Sequence, residues 1–124
     1  MAAHNEIGVL QPLPEIAALC RARGAWLHTD AAQSLGKIPV DVDTLGVDLL
    51  SVAGHKLYAP KGIGALYVRQ GLQPEKFCHG AGQEKGWRAG TENVLEMVGL
   101  GKACEIAGRD LAANAVHMPT LRDR

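Results

Sequence analysis

The pattern of hydrophobic and polar positions predicts an alternation of helices and strands. In residues 12–24, apolar positions recur at helical spacing, with a proline near the start, basic residues in the last turn and a glycine just beyond it. These are helix start and stop signals. The stretch AWLHTD at 25–30 predicts a short buried strand, and VDLLSVAG at 47–54 predicts a second, almost continuously apolar one. A third strand is predicted by GIGALYVR at 62–69.

The remaining segments predict a connection and a second helix. Residues 31–47 are mostly connection, with one helical turn. From Thr91 onward the spacing is helical, with Thr91 as the cap and one side formed by Val94, Met97, Val98 and Ala103. Helices that alternate with apolar strands are typical of an α/β domain, whose ligands sit beyond the carboxyl ends of the strands. Asp30 ends the first strand, and His55 and Lys56 follow the second.

Composition excludes several classes of function. A length of 124 residues is typical of a single domain. The chain has 13 basic and 13 acidic residues, so its formal net charge is zero. A balanced charge gives no general attraction to nucleic acid or to an anionic membrane. The chain contains no apolar run near the roughly 18 residues of a transmembrane helix, and its start lacks the features of a secretory signal. We therefore expect a soluble, cytoplasmic protein with neither a nucleic-acid nor a membrane partner.

The three cysteines predict neither a disulfide framework nor a metal site. Cys20, Cys78 and Cys104 are odd in number and have no CxxC spacing. Cys78 precedes His79, but neighbours in an extended segment point to opposite faces, so a nucleophile and base pair is not expected there.

Lys56 has two interpretations. Its stem can lie on apolar surface with the ammonium in water. Alternatively, the hydrophobic residues around it can lower the pKa of the amine, and a neutral amine forms a Schiff base with a carbonyl. The glycines that follow fit neither a phosphate loop nor a dinucleotide fingerprint.

The strand ends carry the residue types of a pyridoxal phosphate site. Such a site needs a lysine, a carboxylate for the pyridine nitrogen, a donor near the ring hydroxyl and groups for the phosphate. Lys56, Asp30, Gln33 and His55 supply one of each type. Simpler roles are a turn or cap for Asp30, a solvated turn residue for Gln33, and for His28 a core histidine satisfied by backbone.

Four ordered motifs, NEIGVLQPLPEI, HTDAAQSLGKIPVDV, DLLSVAGHKLYAPKGIGALYVR and HGAGQEKGWRAGTENV, cover most of the chain from Asn5 to about Ala107. In this order and spacing the chain resembles the cysteine desulfurase and selenocysteine lyase family of class V aminotransferase-like enzymes. The resemblance implies an α/β fold, namely part of the large pyridoxal phosphate-binding domain of a fold-type I (aspartate aminotransferase-like) enzyme, with a mostly parallel sheet and flanking helices.

The resemblance also implies roles for individual residues. Lys56 would form the Schiff base with pyridoxal 5'-phosphate and move the substrate proton, and His55 would contact the cofactor phosphate. Asp30 would pair with the pyridinium nitrogen, and Gln33 would hydrogen-bond the ring hydroxyl. Asn5 would lie near the cofactor and the substrate carboxylate.

Thr91 is similar to the threonine that reaches the phosphate of the neighbouring subunit, which implies a homodimer with shared sites. The chain departs from the family pattern at His4, which replaces an asparagine, and at Ala53, where many relatives have a serine that bonds the phosphate. No cysteine matches the one that receives the sulfur.

The implied function is that of a cysteine desulfurase, which converts L-cysteine to L-alanine and passes the sulfur through the enzyme to an acceptor protein, as in iron-sulfur cluster assembly. Alternatives are another class V enzyme, either a selenocysteine lyase or an aminotransferase, and a non-catalytic fragment or interaction module. Relatives are about three times longer, so we expect residues 1–124 to be a fragment of the large domain, without its N-terminal part and without the small C-terminal domain, and to be inactive alone.

Overall fold

The computed structural model describes all 124 residues, and its elements follow the predicted alternation. In chain order they are α1 (Leu13–Ala22), β1 (His28–Asp30), α2 (Val42–Leu45), β2 (Leu49–Ala53), a 3-10 helix (Gly54–Leu57), β3 (Gly64–Val68), a second 3-10 helix (Glu84–Gly86) and α3 (Val94–Arg122). The predicted first helix, the single helical turn and all three strands are confirmed. The first strand is shorter than predicted because only its last three residues pair with a neighbour.

The three strands form one mixed sheet in the order β1-β2-β3. β1 and β2 are parallel, with Asp30 opposite Ser51. β3 runs antiparallel to β2, with Ala53 opposite Gly64. The connection of residues 54–63 is shorter than the dozen or so residues that a parallel crossover needs, so the chain folds straight back on β2. The sheet predicted to be mostly parallel is therefore mixed here. It has one parallel pair, β1 and β2, and one antiparallel pair, β2 and β3.

The first eleven residues lie beside the free edge of β1. The amide of Ala2 donates to the carbonyl of Asp30 at 2.8 Å, and Ala3 pairs with Leu10 in an isolated antiparallel bridge. This arrangement places Ala2 against the carboxyl end of β1 and forms a hairpin whose turn is at residues 5–7.

Two small apolar clusters hold the elements together. The first unites α1 and the sheet through Ala2, Leu13, Ala31, Val47 and Leu50. The second joins the 3-10 helix to α3 through Leu57, Ala59, Leu100 and Ala103. The partly buried Val52 of β2 packs against both clusters, so the sheet connects α1 to α3.

Arg69, the residue after β3, ties the strands to α2. Its guanidinium donates to the carboxylate of Asp43 at 2.9 Å and to the carbonyl of Val47. The hydrogen bond to Asp43 raises the pKa of Arg69. Asp48, immediately before β2, accepts from the amide of Leu27 at 2.8 Å. These bonds fix the amino ends of β1 and β2, on the side of the sheet away from Asp30.

The long helix α3 differs from its prediction at the start. The cap is Asn93, whose side chain accepts from the amide of Glu96, and not Thr91. Asparagine is a stronger cap than threonine, and Asn93 is adjacent to the first helical residue, Val94. Large apolar side chains of α3 remain exposed, among them Val94, Leu95 and Val98. No helix, α3 included, has both the length and the apolar character required to span a membrane.

Candidate functional site

The candidate site lies at the carboxyl edge of the two parallel strands. Asp30 ends β1 opposite Ser51 of β2. β2 continues to Ala53 and leads directly into the 3-10 helix that carries His55 and Lys56. Because parallel strands end at the same edge of a sheet, the topology brings together the carboxylate and the amine that are far apart in sequence.

The turn that carries Lys56 is firmly held by its neighbours. The amide of Gly54 donates to the carbonyl of Ile63 at 3.0 Å, and a Cβ atom on Gly54 would lie only 2.7 Å from that oxygen. Glycine is therefore required for the close approach of the two backbones. Leu57 is buried against Leu100 and Ala103 of α3. The backbone on both sides of Lys56 is thus fixed.

The side chains of His55 and Lys56 themselves are exposed. The expectation that hydrophobic neighbours bury the amine of Lys56 is therefore wrong within this chain. In a 3-10 helix, residues three apart lie above one another, so Gly54 and Leu57 share the inner side. Lys56, between them, is left on the outer side. Apolar residues that are next to Lys56 in the sequence therefore do not surround its side chain in the structure.

Asp30 combines a turn role with a free oxygen. Its Oδ1 accepts from the amide of Ala32 at 2.7 Å, which is the turn interpretation of an aspartate before Ala-Ala. The side chain is exposed, and Oδ2 stays available to a second donor. The carboxylate is thereby oriented by its own turn and can still bind a cationic partner.

Gln33 lies in the turn that follows Asp30, and its amide has a partner that sequence reasoning missed. Lys37 Nζ donates to Gln33 Oε1 at 2.8 Å. Partial burial of the Lys37 amine and, second, the positive charge of Lys56 lower the pKa of Lys37. Lys56 is therefore within electrostatic reach of Lys37. The spacing of four residues between the amide and the lysine was the available signal, since it places them on one side of a helical turn.

His28 differs from its predicted role. It is exposed, and its Nε2 lies 2.8 Å from Ser51 Oγ, across the β1–β2 pair. It is therefore not a core histidine satisfied by backbone, because the two outer positions of this three-residue strand face away from the core. Only Thr29, between them, is buried.

The two remaining predicted residues lie in separate loops. Asn5 is exposed in the turn at residues 5–7. Thr91 is exposed in the loop that leads into α3. Arg88 donates to the carbonyls of Ala89 and Gly90, and the amide of Gly90 donates to Gln83 Oε1. These bonds brace the loop immediately before Thr91.

The chain also has an apolar groove beside α3. A groove of about 170 Å³ separates the segment 35–40 from α3, and its lining is mostly apolar, including Leu57, Cys104 and Leu111. Its lining includes neither Asp30 nor Lys56, whose side chains are exposed. No group of three or more histidine, cysteine, aspartate or glutamate side chains is close enough together to bind a metal ion.

Comparison with known proteins shows one family across the chain. The model of the family described as aminotransferase class-V matches residues 1–121. The chain is 50% identical, over 126 aligned positions, to the cysteine desulfurase IscS of Shewanella frigidimarina, an alignment that covers all of this chain and 31% of that protein. The chain thus spans about a third of the length of the curated relatives it matches.

Solved structures show the same architecture. A NifS-like protein from Rickettsia africae superposes with a TM-score of 0.93 at 35% identity, covering 98% of this chain and 34% of that one. A structure described as SspA in complex with cysteine superposes with a TM-score of 0.79 at 46% identity, covering 84% of this chain and 30% of that one.

Proposed function

The chain belongs to the aminotransferase class-V family, and on this basis we propose that it forms the lysine-bearing part of the cofactor site of a cysteine desulfurase. The observation that carries the proposal is the register of β1 and β2. It places Asp30 and the turn of Lys56 at one edge of the sheet, as a cofactor with a cationic nitrogen and an aldehyde requires. The relatives named as cysteine desulfurases favour this member of the family.

The residues at this edge fit pyridoxal 5'-phosphate. Lys56 supplies an exposed primary amine for the aldehyde, and Asp30 Oδ2 is free to accept from the pyridinium nitrogen. Gln33 supplies an amide for the ring hydroxyl, and His55 an imidazole for the phosphate. When bound, the cofactor accepts the electron pair released from the Cα–H bond of an amino acid. Asp30 would hold the ring nitrogen protonated, and Lys56 would receive and return the Cα proton.

We propose L-cysteine as the substrate, with L-alanine and protein-bound sulfur as products. A structure with 46% identity to this chain is described as a complex with cysteine, which supports an amino acid of this size. Asn5 would lie beside the substrate carboxylate. None of Cys20, Cys78 or Cys104 is proposed to receive the sulfur, because none matches the position of the cysteine that does so in the resembled family.

A homodimer completes the proposal. Thr91 is exposed, and the loop immediately before it is braced by the bond from the amide of Gly90 to Gln83 Oε1. We propose that it donates to the phosphate bound by the partner subunit. Release of the sulfur to an acceptor protein and a cytoplasmic location are parts of the same proposal.

The decisive experiment is borohydride trapping. The complete gene product that contains this segment would be mixed with pyridoxal phosphate, reduced and mapped by peptide mass spectrometry. We expect one label, on Lys56, and none after Lys56→Ala. Lys61→Ala is the matched control, because this exposed lysine follows five residues later on the same connection and has no proposed role. Label on Lys37 or Lys61 in the folded, unmodified protein would refute the assignment.

The products then identify the reaction. With L-cysteine, the proposal predicts L-alanine and one equivalent of protein-bound sulfur. Formation of a 2-oxo acid would indicate an aminotransferase instead. A turnover confined to L-selenocysteine would indicate a selenocysteine lyase.

A further inference from the structure

The hydrogen bond between Lys37 and Gln33 joins a cation to the amide of the candidate site. Nζ lies 2.8 Å from Oε1, and both residues belong to a compact turn. The turn is held by backbone bonds from Leu35 to Ala31 and from Ile38 to Ser34. The buried Ser34 adds a side-chain bond to the carbonyl of Ala31. The two side chains are therefore displayed from a fixed backbone.

The chemistry of the two groups fixes which end of the amide faces Lys37. An ammonium group has three donors and no acceptor, whereas an amide has an acceptor oxygen at one end and two N–H donors at the other. Lys37 can therefore bind only the oxygen of Gln33. The NH₂ end is directed away from Lys37 and remains available as a donor.

We propose that Lys37 is a positioning residue that holds the Gln33 amide with its NH₂ group toward the ring hydroxyl oxygen of bound pyridoxal phosphate. This inference rests on the proposed function. A phenolic oxygen next to the cofactor aldehyde is an acceptor when ionised, so it requires the donor end of the amide. With the amide reversed, two oxygens would face each other.

The surroundings of Lys37 support this role. The turn that carries Gln33 and Lys37 packs on the turn that carries Lys56, because Gly36 lies directly beneath the side chain of Leu57. The positive charge of Lys56 also contributes to the lowered pKa of Lys37, after burial. Asp30 and His55 are the other ionisable side chains at this edge. The lysine that orients the amide is thus close to the amine proposed to bind the cofactor.

The test compares substitutions of Lys37 that differ only in what they can offer the amide. Lys37→Arg still donates, Lys37→Met neither donates nor accepts, and Lys37→Glu accepts and so would bind the NH₂ end and reverse the amide. The readout is the Kd of the complete protein for pyridoxal phosphate, measured by visible absorbance. We expect Lys37→Arg to keep the original affinity and Lys37→Glu to weaken it by about tenfold, with Lys37→Met in between.

A second series, with the same three Lys37 substitutions in a Gln33→Leu background, separates the effect of amide orientation on the Kd from the effect of charge. Without an amide to orient, the three substitutions should differ by less than about twofold, because only the change in charge remains. The positioning role is overturned if Lys37→Glu weakens binding equally in both backgrounds, since the effect is then purely electrostatic. It is also overturned if Lys37→Glu binds as tightly as Lys37→Arg.

Two further measurements distinguish failure of the positioning role from misfolding and from failure of the proposed function. The exposed position of Lys37 predicts that thermal unfolding of the cofactor-free variants is unchanged, which excludes misfolding as the cause of weak binding. Borohydride trapping of the unmodified protein comes first. Failure to label Lys56 refutes both proposals, whereas normal labelling with no ordering among the Lys37 variants refutes only the positioning role.

Discussion

Gly36 and Leu57 touch where the turn of Gln33 meets the turn of Lys56, and a Cβ atom on Gly36 would lie 2.6 Å from Cδ2 of Leu57. Gly36 belongs to the turn that displays Gln33, and Leu57 directly follows Lys56. The glycine also has a φ of +75°, a conformation that side chains disfavour. The lack of a side chain at this one position lets the two turns pack together.

Replacing this glycine should be more costly than replacing one in the same conformation without a neighbour. Gly24 has a φ of +64°, and a Cβ atom at that position would have no heavy atom within 4 Å. We expect Gly24→Ala to lower the free energy of unfolding by about 1 kcal/mol, from backbone conformation alone. Gly36→Ala should lower it by about 2–4 kcal/mol, because the methyl group also displaces Leu57. Urea unfolding measures both, and equal losses would contradict the contact.

The position of the α3 cap gives a second prediction. Asn93 accepts from the amide of Glu96, whereas Thr91 lies two residues earlier, outside the helix. Asn93→Ala should lower the free energy of unfolding by about 1 kcal/mol. Thr91→Ala should change it by less than about 0.5 kcal/mol, as is usual at exposed sites. A larger loss at Thr91 than at Asn93 in urea unfolding would restore Thr91 as the cap.

The elements of the fold were largely readable from the sequence. Long apolar runs and a helix framed by proline and glycine are local signals. The predicted boundaries of α1, β2 and β3 therefore lie within two residues of the observed ones. The direction of β3 was not readable in this way, because strand orientation depends on the length of a connection and on pairing partners. The cap of α3 was misplaced for a local reason, since Thr91 and Asn93 are both good caps.

The sequence predicts which residues meet at the candidate site, but not which of their side chains are exposed. The rule that ligands bind beyond strand ends places Asp30 and Lys56 together once two parallel strands are identified. The exposure of Lys56 depends on a 3-10 turn, which apolar patterning does not reveal. Lys37 could not be singled out from the sequence, because its four-residue spacing from Gln33 permits a side-chain bond but does not show that one forms.

The closeness of the two lysines predicts a linked titration. The pKa of Lys37 is lowered from its ordinary 10.5 first by burial and second by the charge of Lys56. Lys56→Met should therefore raise the pKa of Lys37, but not fully to 10.5, because the effect of burial remains. Lys56→Arg keeps the charge and should leave the pKa of Lys37 unchanged. Titration of isotope-labelled lysines by NMR measures this in the cofactor-free protein, and an unchanged pKa after Lys56→Met would show that the two groups do not interact.

Tyr58 closes the turn of Lys56 in a conformation that is unfavourable for tyrosine. Its φ is +62°, its amide donates to the carbonyl of Gly54, and its ring is fully exposed. The left-handed region costs a side chain about 1–2 kcal/mol, and asparagine tolerates it best among residues other than glycine. The strain at this position therefore comes without any packing of the ring to offset it.

We expect Tyr58→Asn to unfold at higher urea than Tyr58→Ala, by about 0.5–1 kcal/mol in free energy. Both substitutions remove the ring, so their difference reports only the backbone. The opposite order would mean that the turn is not left-handed at this position. If Tyr58→Asn also exceeds the unmodified protein, the tyrosine is not required for stability, because its removal relieves strain and loses no contact. Borohydride labelling of Lys56 in that variant then tests whether the exposed ring of Tyr58 contributes to cofactor binding.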